Sequence, residues 1–190
     1  MPNALNKVSS VAYGGINKVS SLALASISKV GGVAYSVAAP TLDQSHTAAT
    51  SNSGFGYPNE FYQCTRFTPT QTGTCNQIIS KFKIGAGTLT GNVTCYIYSS
   101  NGTIPVTNLG TVGSFAASTI TGTGAEYTFS GGAGASITSG TEYWIVFWYP
   151  GATDRYIHSY VSSGAYGAVS ADGSSFSTWA LRMYFKQYYV

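Results

Sequence analysis

At 190 residues the chain has room for one well-buried domain and a smaller extra segment. Only 8% of its residues are charged and 14% are aromatic, which excludes a disordered polyelectrolyte and points to an ordered, β-prone protein with a polar but uncharged surface. The net charge of +3 comes from residues 1–42, which hold Lys7, Lys18 and Lys29 and no acid; three lysines fall short of the dense basic footprint that nucleic acid demands, so no nucleic-acid partner is expected.

Residues 5–37 say nearly the same thing three times: LNKVSSVAYGG, INKVSSLALAS, ISKVGGVAYSV. The positions that recur with lysine and aliphatic side chains include Lys7, Val8, Ile16, Lys18, Val19, Ile27, Lys29 and Val30. Units repeated in this way do not bury themselves singly and need neighbours. A helical reading is open, since eleven residues make three helical turns. The β reading explains more: Ser-Ser or Gly-Gly stands between β-formers in each copy, as a two-residue hairpin turn requires, and glycine and β-branched residues disfavour a helix. Each copy is then a short strand, a turn and a short strand, too short to be stable alone. Residues 1–37 are therefore expected to be an anchoring arm whose repeats, through the eight positions above, pair with sister chains or a partner protein.

Residues 38–58 change to small, polar, proline-bearing sequence without periodicity, which predicts a linker with His46 in an exposed loop. From 59 to 190, eight strands are predicted, at 61–68, 76–84, 92–100, 109–117, 125–131, 142–150, 155–163 and 179–190, separated by glycine-rich turn segments. Ile78, Ser80, Phe82 and Ile84 alternate with Ile79, Lys81 and Lys83, predicting one apolar face, and residues 143–149 are apolar on both faces, predicting a central strand. No helix is predicted. The fold class expected is all-β: an antiparallel sandwich of jelly-roll type, preceded by a short-strand repeat arm.

Cys64 and Cys75 flank a stretch that reads as a two-strand hairpin, so a bridge between them is geometrically open; three reduced thiols, with Cys95, are the favoured reading for a protein made in a cytoplasm. No metal site is expected, because no Cys-x-x-Cys occurs and His46 and His158 are isolated. Neither a signal peptide nor a bilayer-spanning run is expected: serines interrupt residues 19–27, and no segment approaches the roughly 20 apolar residues a span needs. The carboxylates of the second region are few (Glu60, Glu126, Glu142, Asp154 and Asp172), and no nucleophile elbow or phosphate loop occurs, so neither catalysis nor a cofactor is expected. The best binding candidate is 152–179. There Asp154, Arg155, Tyr156, His158 and Tyr160 set polar and aromatic groups along a late strand, and Tyr166 and Trp179 add flat rings, the combination that holds sugars by stacking and hydrogen bonding.

FTPTQTGTCNQIISKFKIGAGTLTGNVTCYIYSSNGTIP, followed by ITSGTEYWIVF, resembles a broad group of jelly-roll modules over about residues 65–187, modules that are mostly carbohydrate-binding or structural. The I-x-K-V-small-small-V-A repeats resemble those near the start of tailed-bacteriophage virion proteins, in which the small pair is often Asn-Gly rather than the Ser-Ser or Gly-Gly found here. The two resemblances together imply a structural virion protein of fibre, head-decoration or appendage type. It would be made in the host cytoplasm and reside on the virion surface, bound to other virion proteins through its arm; separately, identical short repeats with exposed strand edges favour symmetric association, and a homotrimer is expected. The alternative they imply is a carbohydrate-binding adhesin that recognises host-surface glycans.

Overall fold

The computed structural model describes residues 18–19, 22–23, 29–30, 33–34, 38–56, 61–150 and 156–190. The first repeat copy, with Lys7 and Val8, lies outside the described residues, as do Ile16 and Ile27, which lead the second and third copies, and Glu60, Asp154 and Arg155. The chain divides into two compact units, Met1–Ala39 and Pro40–Val190.

In the first unit the second repeat forms strands β1 (Lys18–Val19) and β2 (Leu22–Ala23), paired antiparallel as Lys18 with Ala23 and Val19 with Leu22. The third forms β3 (Lys29–Val30) and β4 (Val33–Ala34), with Lys29 opposite Ala34 and Val30 opposite Val33. Both registers leave two residues between the strands, the spacing of the tightest hairpins. Of the two alternatives open in the sequence, these copies adopt β.

The second unit is a curled, sandwich-like antiparallel sheet of 12 strands whose path runs from β10 at one end to β5 at the other. Its strands are β5 (Thr41–His46), β6 (Ser51–Phe55), β7 (Tyr62–Phe67), β8 (Gly73–Ala86), β9 (Asn92–Ser100), β10 (Pro105–Ala116), β11 (Ala125–Phe129), β12 (Ala135–Ile137), β13 (Tyr143–Trp148), β14 (Tyr156–Ser170), β15 (Ser177–Met183) and β16 (Phe185–Tyr189). Each of the eight predicted strands is present, the last as two (β15 and β16), whereas β12 occupies a glycine-rich stretch expected to be turn and pairs there with β8. The predicted linker at 38–58 differs: β5 pairs with β16, and β6 with β14. Backbone hydrogen bonding to strands distant in sequence recruits these polar stretches, which lack any apolar alternation of their own. His46 is accordingly half-buried in a strand, its Nε2 2.8 Å from Ser162 Oγ, rather than in an exposed loop.

Two long strands let one sheet serve both layers. The first half of β14 pairs with β6 and β8, and its last residues pair with β7. Between these stretches its register against β15 shifts, between Ser163 and Gly167, and a bulge of this kind bends a strand and redirects its side chains. The single strand predicted at 179–190 is interrupted at Tyr184. Its N–H still donates to Tyr160 O of β14 at 2.8 Å, but its carbonyl accepts from the Ser80 hydroxyl at 2.7 Å, a side-chain partner in place of a strand backbone.

The main core lies between the layers. Ile78 and Phe82 from β8 meet Ile145 and Phe147 from β13, with Phe55, Phe129, Ile157 and Phe185 around them. The face predicted from the alternation in 78–84 is the buried one, and β13 is central, flanked by β7 and β9. Because β13 is apolar on both faces, its other side, Trp144 and Val146, seeds a second cluster with Cys64, Tyr98 and Ala168. Gly113 in β10 is required by close approach: a Cβ there would stand 2.3 Å from the Ser130 carbonyl oxygen.

The three cysteines are buried free thiols. Cys64 and Cys75 do not flank a hairpin, because β7 pairs with β13 and β14, whereas β8 pairs with β11, β12, β14 and β16.

Candidate functional site

Alternation along β14 buries Ile157, Ser159 and Val161 and turns Tyr156, His158 and Tyr160 to the opposite face. His158 pairs in register with Lys83 of β8. The Tyr156 ring lies over Gly85, where a Cβ would come within 2.5 Å of it, and meets the His158 ring edge to face at 5.5 Å between centroids. The Tyr160 ring carries Lys81 Nζ 4.4 Å from its centroid. Its hydroxyl end occupies the space a side chain at Gly124 would need. Burial lowers the His158 pKa below 6.5, and the Lys83 charge adds to the effect, so the imidazole is neutral near neutral pH. Three of the seven residues expected to form a glycan surface are thus gathered into one row, with two lysines beside it.

Trp179 and Tyr166 do not join that row in the same way. Trp179 packs partly buried against the main core, its ring close to Gly167. Tyr166, 43% exposed, stands instead with two arginines that the sequence reading did not single out. The Arg66 guanidinium lies 4.6 Å from its ring centroid and that of Arg182 lies 5.2 Å away, cation–π distances in both cases.

These groups border a cleft of about 290 Å³, completed by Gln44, Thr68 and Glu142. The cleft has a built wall. Trp144 Nε1 donates to Ser100 Oγ at 2.9 Å, and Ser100 Oγ donates to Glu142 Oε1 at 2.6 Å. The other carboxylate oxygen of Glu142 accepts from Arg66 Nη1 at 3.2 Å, and the same nitrogen reaches Gly102 O at 3.2 Å. Arg182 has no comparable arrangement: its Nε is buried without a hydrogen-bond partner. Burial lowers its pKa, Tyr166 opposes that shift, and the like charge of Arg66 adds to it. No sequence signal marks this cleft, because Arg66 and Glu142 are 76 residues apart and meet only through the pairing of β7 with β13.

The remaining reactive side chains are already engaged. Asp172 accepts from the Ser174 and Ser175 N–H groups at 2.8 Å each, which holds its carboxyl well below the usual range and closes its own turn. Glu126 accepts from Lys186 Nζ at 2.7 Å and from the Tyr184 hydroxyl. Burial raises all three thiols, Cys75 to about 12, so none is a thiolate near neutral pH. Among the described residues, no group of three or more His, Cys, Asp or Glu is placed to hold a metal ion. No helix among them is long and apolar enough to cross a membrane. Compared with known protein families and with curated proteins, the chain matches none.

Proposed function

We propose that this chain is a structural component of a tailed-bacteriophage virion surface, of fibre, decoration or appendage type, anchored by its N-terminal repeats and displaying the sandwich. The observation that carries the reading is the division of labour along the chain. Two successive repeats form hairpins with strands of only two residues, in a unit separate from the sandwich. Strands so short have almost no surface to bury against one another, so they gain stability by pairing with sister chains or a virion partner. Symmetry lets one exposed edge be matched by the same edge on a copy, which favours a homotrimer. The sandwich works without cofactor or catalysis in this reading.

The deletion of residues 1–39 tests it. The truncated chain keeps every strand of the second unit and is expected to retain its thermal transition while failing to join particles. Incorporation at the full-length copy number would move the attachment surface into the sandwich and sink the proposal.

A second reading, recognition of host-surface glycans, is favoured by the row of Tyr156, His158 and Tyr160 with its flanking lysines. Under it, Tyr156→Ala weakens binding to host glycans without preventing incorporation.

A further inference from the structure

We propose that the cleft between Arg66 and Arg182 binds a carboxylate-bearing saccharide unit, an inference that rests on the glycan-recognition reading and names the ligand class. The lining holds two guanidinium charges, Arg66 and Arg182, against one carboxylate, Glu142, which leaves one positive charge in excess. The two arginines are not equivalent. Arg66 is committed to Glu142 and to the Gly102 carbonyl. Arg182 keeps a buried Nε–H without an acceptor, and no carboxylate among the described residues is shown paired with it.

A buried donor left unpaired is a standing penalty, and a guanidinium beside the like charge of Arg66, met among the described residues only by the rings of Tyr166 and Phe185, adds another. An acceptor entering the cleft relieves both. The planar fork of a guanidinium matches the two oxygens of a carboxylate, and the excess of one charge matches a monoanion better than a doubly charged phosphate. The rest of the cleft suits a sugar ring. Tyr166 offers a partly exposed aromatic surface, and the Gln44 amide and Thr68 hydroxyl supply neutral donors and acceptors for hydroxyl groups. A volume of about 290 Å³ lies at the lower bound of small-molecule sites, which limits the ligand to one saccharide unit of a longer chain.

Calorimetric titration of the full chain with uronate- and sialate-bearing oligosaccharides, each beside its carboxyl-reduced counterpart and beside inorganic phosphate, tests this. The acidic form is expected to bind at least about tenfold more tightly than the reduced form. Arg182→Gln should abolish that preference, and Arg182→Lys should restore only part of it, because an ammonium keeps the charge and loses the fork. An unchanged thermal transition establishes that each variant is folded, and Arg182→Lys alone decides the matter if Arg182→Gln does not fold. Equal binding of acidic and reduced forms, lost in Tyr156→Ala, would overturn this assignment and leave glycan recognition standing. Phosphate binding as tightly as the acids would overturn the carboxylate assignment. Binding of no saccharide would overturn both.

Discussion

The two units of this chain solve the same problem, how to pair β-strands, with opposite resources. In Met1–Ala39 the described strands are two residues long and each hairpin's register is set by the two residues between its strands. In Pro40–Val190 the strands run to 15 residues, and the sheet order is set by contacts between residues far apart in sequence, such as Ser159 with Gln63. Local turn chemistry specifies a hairpin but supplies little stability. Long-range burial supplies stability but leaves no local trace of which strands will be neighbours. A chain containing both can carry a firm scaffold and a segment whose folding is completed by what it binds.

Proteolysis offers the largest contrast. Trypsin is expected to cleave a dilute full-length monomer after Lys7, Lys18 and Lys29 on the order of a hundredfold or more faster than at Arg66, Lys81, Lys83, Arg182 or Lys186. Cutting requires local opening, and the sandwich sites open only at a free-energy cost approaching that of global unfolding. Mass spectrometry of the early fragments reads the difference. Protection of the arm equal to that of the sandwich, at a concentration where light scattering shows a monomer, would break the comparison.

Core packing gives the next largest effect. Phe82 is fully buried and touches the rings of Phe55, Phe129 and Phe147 at 6.2, 6.2 and 5.6 Å between centroids. Phe82→Ala should destabilise the sandwich by about 3–5 kcal/mol in chemical denaturation. Val19→Ala, in the arm, should leave the same transition where it is. A shift of that transition by the arm substitution would show that the two units fold as one.

The same division explains what could be read from the residues alone. The strands flanking the small pairs of the second and third repeats, the alternation at 78–84 and the doubly apolar run at 143–149 are local patterns, and the structure follows each of them. The two strands at 41–46 and 51–55 left no such pattern: Thr41, Leu42, Ser51 and Asn52 are exposed, and backbone pairing to β14 and β16, with the single core anchor Phe55, makes these segments strands. The row of Tyr156, His158 and Tyr160 was legible because a strand places every second residue on one face. The cleft was not. Arg66, Glu142 and Arg182 come from three strand ends, and their union depends on a register that no short window of sequence encodes.

The smallest effect expected is electrostatic, and it also separates the units, since residues 1–39 contain no Asp, Glu or His. His46 and His158 both have pKa values lowered from 6.5, chiefly by burial, with the Arg182 charge contributing at His46 and the Lys83 charge at His158. The folded state therefore binds fewer protons than the unfolded state between the lowered values and 6.5. Stability is full above about pH 6.5 and declines as pH falls toward the folded-state values. Glu126 is lowered by its hydrogen bonds to Lys186 and Tyr184, and Asp172 by the N–H groups of its own turn, so a second decline begins only below the ordinary carboxylate range. Urea midpoints of the sandwich should thus begin to fall as pH drops below about 6.5, and the carboxylates should add a further fall below their ordinary range. Replacing both histidines by glutamine should flatten the first decline and leave the second. A midpoint unchanged from about pH 7 to pH 5.5 in the unmodified chain would mean that folding does not desolvate the two imidazoles, and would overturn this prediction.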